Sequence, residues 1–281
     1  MVELKNISDA IAMVGAIRKK YEYNIKTENI RRRNAAKDKD LKTCAAVIAM
    51  DVSFSSAAMT LYNPGTERKS GAYIRGVVFS EFTNKPYGVF LHAMESALQL
   101  YAQKLQEETT ENNPIALVIE TLPPSIAKCD RTGGYGALIH DAVYYISQYA
   151  RDVLGLVVVP AYTWAWRKPF GLPTRVMAKD KTNQTQAETL GHDILKQYSV
   201  SKFSELMTRA KERKKEARFF ELLQNMVDEK QNGKKTDDII ECVLMTEAFL
   251  MVGADALIGT NFNNLNIEDV PEKIRTLVKM V

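Results

Sequence analysis

Thiol and imidazole groups are scarce in this chain. Cys44, Cys129 and Cys242 are odd in number, far apart and without a C-x-x-C pair, which argues against a disulfide framework or a zinc knuckle. They read instead as small buried residues in a reducing compartment. His92, His140 and His192 are too scattered for spacing to define a metal site, and none is placed to serve Ser53, Ser55 or Ser56, which argues against a serine nucleophile. No apolar run approaches the roughly 20 residues of a membrane span, and no basic start with an apolar core and a cleavage site suggests a leader. The expectation is a soluble protein of the cytoplasm with no membrane partner. Charge of one sign is also in short supply, since 38 Lys+Arg against 34 Asp+Glu leave only +4. No internal repeat or low-complexity segment is visible.

What is abundant is apolar sequence, 46% of 281 residues, enough for one sizeable domain with appendages. The basic residues are clustered. Arg18, Lys19, Lys20, Lys26, Arg31, Arg32, Arg33, Lys37, Lys39 and Lys42 stand among four acids, and the run Lys211 to Arg218 repeats the bias with Arg213, Lys214 and Lys215. Basic zones beside an acidic centre fit a protein that grips phosphates, although solvated helix faces have the same composition.

The periodicity predicts a basic helical arm over 1–42, an α/β domain over 43–255, and a tail over 256–281. Strands are expected at Ala45 to Ser53, Ala57 to Tyr62 and Ala72 to Phe82, forming a three-strand meander. A helix from Pro86 to about Gln106 leads to a fourth strand, Ile115 to Glu120. A glycine-rich entry at Gly133, Gly134 and Gly136 then opens a helix, and the strand Leu156 to Pro160 follows. Helices between strands imply parallel crossovers, so the fold class is α/β, a mixed five-stranded sheet flanked by helices. The stretch 171–186 reads as a loop. A helical insertion over about 187–232 reads as a short helix to Tyr198 and a charged helix from about Lys202 to Glu229, before the last core helix, TDDIIECVLMTEAFLM.

Acids sit where they are expensive. Asp51 ends the apolar run AAVIAM, Glu120 ends IALVI, and Asp237, Asp238 and Glu241 head the last helix. An ionised group on a buried strand needs a partner. On a helix, positions three and four apart share a face, so Glu241 lies beside both aspartates on the stripe that packs against the sheet, while Glu247 points away. A capping box formed by Asp238 and Glu241 accounts for the helical acids alone. The conjunction of acids on two strands and one helix points to a divalent cation, and oxygen ligands favour magnesium, with manganese as a substitute.

The order of these elements, with Asp51 on the first strand, Glu120 on the fourth and D-x-x-E on the last helix, resembles the ribonuclease H-like nucleases, specifically the RuvC-type Holliday junction resolvases. The glycine-rich helix entry, the V-V-V-P strand running into Trp166-Arg167-Lys168 and Gly171, and the link Lys179-Asp180-Lys181 add to the likeness, which covers roughly Ala45 to Gly253. That family usually shows D-x-x-D on its last helix, so Glu241 and the extra Asp237 are departures, and the segment 196–235 is longer than in compact bacterial members. A divergent, phage-encoded relative is expected.

The resemblance implies a homodimeric, magnesium-dependent endonuclease of DNA recombination and repair that nicks four-way junctions or other branched DNA. Two ions roughly 4 Å apart per active site would be held by Asp51, Glu120, Glu241 and either Asp237 or Asp238. Trp166, Arg167, Lys168, Lys179, Lys181, Arg213, Lys214 and Lys215 are expected to contact DNA. The rival expectations are a branched-DNA-binding protein whose acids are structural, and a phosphotransferase of the actin or sugar-kinase type, which requires a duplicated second half that this chain lacks.

Overall fold

A computed structural model describes residues 46–54, 56–63, 72–80, 82, 85–108, 114–121, 135–179, 181–212, 237–259 and 262–279. The expected arm over 1–42, the entry glycines Gly133 and Gly134, and Arg213, Lys214 and Lys215 lie outside the described residues.

The central sheet is built from β1 (Ala46–Asp51), β2 (Ser56–Asn63), β3 (Ala72–Ser80), β4 (Ile115–Thr121) and β5 (Val157–Tyr162), in the order β3-β2-β1-β4-β5. The β1–β2 and β2–β3 pairs are antiparallel. The β1–β4 and β4–β5 pairs are parallel. This is the expected meander followed by two crossover strands. The crossovers run through α1 (Tyr87–Glu108) and α2 (Tyr135–Asp152). Beyond β5 come a short α3 (Thr163–Arg167), a long α4 (Gln184–Glu212) and α5 (Asp237–Val252).

The sheet is covered on both faces, which explains why its strands read as unbroken apolar runs. Alternation sorts each strand between two cores. Ile48, Met50, Met59, Leu61, Leu117 and Ile119 pack against α1 and α2. Val47, Ala49, Ala58, Ala116 and Val118 pack against α5. The side chains under α5 are mostly small, so the helix lies close to the strands. At Gly76 the approach is tightest: a Cβ built there would stand 3.1 Å from Cγ2 of Ile239.

The segment after β5 departs from expectation in three places. Part of the supposed loop 171–186 is a strand, β6 (Arg175–Met177), paired in parallel with β7 (Asn264–Asn266) from the tail. The two helices expected on either side of Ser199 are one, because no proline or glycine between Tyr198 and Lys202 breaks helical geometry. Its apolar stripe is irregular because its two ends serve different cores. Ala187 and Ile194 pack with Ile267, Val270 and Ile274 of the tail. Phe203 and Met207 join the core under α5. The tail is therefore structured, ending in α6 (Glu272–Leu277). No helix among the described residues is long and apolar enough to cross a membrane.

Replacing Gly76 with valine is expected to lower the unfolding free energy by about 1–3 kcal/mol, the usual effect of overpacking. Chemical denaturation measures it, and adding Ile239→Ala should recover part of the loss.

Candidate metal centre at the end of the sheet

Strand alternation decides where the acids go. Asp51 has the parity of Val47 and Ala49, and Glu120 that of Ala116 and Val118, so both belong to the α5 face. The parallel register Met50↔Ile119 leaves them side by side, one step further along. Asp237 and Asp238 open the first turn of α5 over this end of the sheet. The result is a group of ligand atoms from Asp51, Asp238 and Glu241, all within 4.8 Å of one another. Asp238 and Glu241 are buried, and Asp51 is partly exposed.

These acids line a cavity of about 490 Å³ together with Glu120, Arg167, Lys196, His140 and His192. Two cations lie among them. Lys196 of α4 donates to Oδ1 of Asp238 and lies 2.9 Å from Oδ2 of Asp237. Arg167 of α3 donates to Oε1 of Glu241 and, through Nη1, to the Leu195 carbonyl at 3.1 Å. Ser199 donates to the same Glu241 oxygen at 3.0 Å. The indole of Trp166 donates to Oε1 of Glu120 at 3.0 Å, and the Arg167 guanidinium lies over the Trp166 ring, 4.5 Å from its centre. The reading of these acids as needing a cation from outside is thereby corrected: Asp237, Asp238 and Glu241 are paired within the protein.

Compensation is incomplete at Asp51. Burial raises its pKa well above the ordinary value, and the charges of Glu120, Asp238 and Glu241 raise it further against the opposing pull of Lys196. Glu241 is also raised, by burial first, with Glu120 adding to it while Arg167, Lys196 and Ser199 oppose. Around Lys196 burial disfavours the charge, yet Asp238, Glu241 and Asp237 together outweigh it and hold the ammonium protonated. A surplus of carboxylate oxygens with no soft donor among them suits a hard divalent cation.

The strand order and directions of the sheet, with the acids at the ends of β1 and β4 and on α5, decide the architecture. The fold is ribonuclease H-like. No protein-family model matches the sequence, and no curated protein matches it. Among solved structures, RuvC of Thermus thermophilus is similar over 74% of this chain and 97% of its own, at 8% identity and a TM-score of 0.43. The yeast mitochondrial Holliday junction resolvase Ydc2 is similar over 80% of this chain and 86% of its own, at 11% identity and a TM-score of 0.36. An Aquifex aeolicus member of the Ppx/GppA family covers 45% of this chain and 38% of its own, at 14% identity and a TM-score of 0.29. At such scores none of these likenesses assigns an activity or a residue.

Within the acidic group at the end of the sheet, Asp238 joins Asp51 and Glu241 while Asp237 stands at its edge, its side chain 24% exposed and paired with Lys196. Trp166 and Arg167 need correction as DNA contacts. The indole is fully buried and Arg167 is 2% exposed, because the turn from β5 into α3 directs both inward, where they hold Glu120 and Glu241. Lys168, Lys179 and Lys181 are exposed, with Lys179 engaged by Asp269 at 3.2 Å. Lys196 and Ser199 were not legible as site residues. Their one trace is the helical spacing of His192, Lys196 and Ser199 along a single face of α4.

An acid whose native pKa is raised binds its proton more tightly in the folded than in the unfolded state, so it destabilises the fold fully above the raised pKa, and the penalty fades as the pH falls from there to the unfolded-state value. Asp51→Asn is accordingly expected to raise the melting temperature of the metal-free protein at neutral pH. That gain should shrink as the pH falls from Asp51's raised pKa toward the ordinary carboxylate range, which calorimetry across pH can follow.

Proposed function

We propose that this chain is a divalent-metal-dependent endonuclease acting on branched DNA, four-way junctions above all, with magnesium as its ordinary ion and manganese as a substitute. The observation that carries the chemistry is the convergence of Asp51, Asp238 and Glu241 at the end of the sheet, with Glu120 in the same cavity. The substrate class rests on the ordered set of sequence motifs: the first-strand aspartate, the fourth-strand glutamate, the glycine-rich helix entry and the acid-headed last helix. A homodimer follows from the same reading, since paired nicks in a four-way junction require two centres related by a two-fold axis.

Asp51, Glu120, Asp238 and Glu241 are the residues that would hold the ions, with Asp51 at the middle of the set. Ions bound there supply Lewis acidity toward the phosphodiester and an activated water, the chemistry of two-metal hydrolysis. The residues around the carboxylates fix their orientation. Trp166 keeps the Glu120 carboxylate turned into the cavity, and Arg167 with Ser199 does the same for Glu241, as outer-shell partners do at metal sites. Exposed Lys168 and Lys181, with Arg213, Lys214 and Lys215 of the basic run, are assigned to DNA phosphates.

A second reading has one observation in its favour. Lys196 and Arg167 already pair with Asp238 and Glu241, as they would in a branched-DNA-binding protein whose acids are structural. Nicking assays separate the two. On a mobile four-way junction with magnesium or manganese, the wild type is expected to introduce paired nicks, and Asp51→Asn or Glu241→Gln should lose at least about 100-fold in rate, the upper range for disturbing even an outer-shell partner. Junction binding without cleavage in either metal would leave the binding protein.

A further inference from the structure

We propose that Lys196 is a tethered cation holding the place of a divalent ion, so that metal binding at this centre is an exchange in which the ammonium must leave Asp238. The inference rests on the nuclease reading and adds to it the residue that sets the threshold for metal. Its basis is geometric. The ammonium sits between Asp237 and Asp238 on the wall of the cavity that Asp51 and Glu241 also line. Asp238 is 2% exposed and belongs to the group of converging ligand atoms. An ion drawing on that carboxylate competes with Lys196 for it.

The two cations of the centre are not equivalent in this respect. Arg167 has a side chain 3% exposed and is fixed by the Leu195 carbonyl and the Trp166 ring as well as by Glu241. Its planar fork is committed in several directions and stays. Lys196 is a single ammonium on a flexible four-carbon stem, its side chain 12% exposed, and it lies beside His192, whose side chain is 73% exposed at the cavity mouth. It can swing outward without unpacking the core. The protein thus keeps its acids compensated when no metal is present, and its ion affinity is lowered by the strength of the Lys196–Asp238 contact.

Full-length protein stripped with a chelator tests the exchange in two ways. The first uses the wild type alone: brief acetylation of lysines with an N-hydroxysuccinimide ester, read by peptide mass spectrometry with and without Mg²⁺. Lys196 is expected to be protected in the stripped protein and labelled several-fold faster with Mg²⁺, while exposed Lys168 reacts equally in both. The second is calorimetric titration of Mn²⁺ into wild type and Lys196→Met. The variant is expected to bind about tenfold more tightly, the equivalent of one charge-assisted hydrogen bond no longer broken, and to melt at a lower temperature when metal-free. A lysine that stayed in place would also repel the ion, so the labelling of the wild type is what separates exchange from plain repulsion.

If the wild type binds Mn²⁺ but Lys196 stays protected, or if the variant binds no more tightly, the exchange is wrong and the nuclease reading survives. If the variant does not fold, the labelling of the wild type decides. If the wild type binds neither ion, and Asp51→Asn behaves identically, the metal centre itself is absent and both proposals fall.

Discussion

Like charges resist being brought together, and the end of this sheet brings several together with little water between them. Desolvation and mutual repulsion act in the same direction on Asp51 and Glu241. Such a group persists only where the rest of the molecule overrides the repulsion. Here the override is apolar. Helix α5 is buried along most of its length, with Ile239, Cys242, Val243 and Met245 inaccessible to solvent, and the small side chains of the facing strands let it settle close. The packing that excludes water from α5 is the same packing that presses its first turn against the strand-end acids.

The internal cations give this opposition its form. Arg167 arrives from the end of α3 and reaches Glu241, while Lys196 arrives from the middle of α4 and reaches Asp237 and Asp238. Neither pairing needs to be net stabilising to matter, because removing one partner leaves a buried charge alone. The centre is therefore a network in which acids on three elements and cations on two others fix one another's positions. Glu120 has a different kind of partner, a neutral indole, which orients the carboxylate while leaving its charge uncompensated.

The acids were legible in the sequence because each is a local anomaly: a carboxylate closing an otherwise apolar run has few explanations, and Asp51 and Glu120 needed no knowledge of the fold to stand out. Strand order was legible for a similar reason, since a meander followed by alternating helices and strands has few right-handed solutions. The inward roles of Trp166 and Arg167 were hidden, because a basic and aromatic cluster after a strand looks like surface and its direction is set by how the chain leaves β5. Lys196 was hidden more deeply. Its partners are 42 residues away at Asp238, and a lysine in a polar helix carries no local sign of burial. The β6–β7 pair joins segments about 90 residues apart through three positions each, too short for a recognisable alternation.

The C-terminal segment looks peripheral in sequence, but it is attached to the centre at two places. Trp164 donates to the Gly259 carbonyl at 2.6 Å and packs on Phe262, two positions from Trp166. Ile267, Val270 and Ile274 grip α4 around Ile194, two positions from Lys196. The last residues of the chain thus act as a brace behind both helices that carry the internal cations, so the aim of the guanidinium and the ammonium is set in part from outside the sheet. A chain shortened after Val252 would keep every acid and lose the backing against which its counter-charges are held.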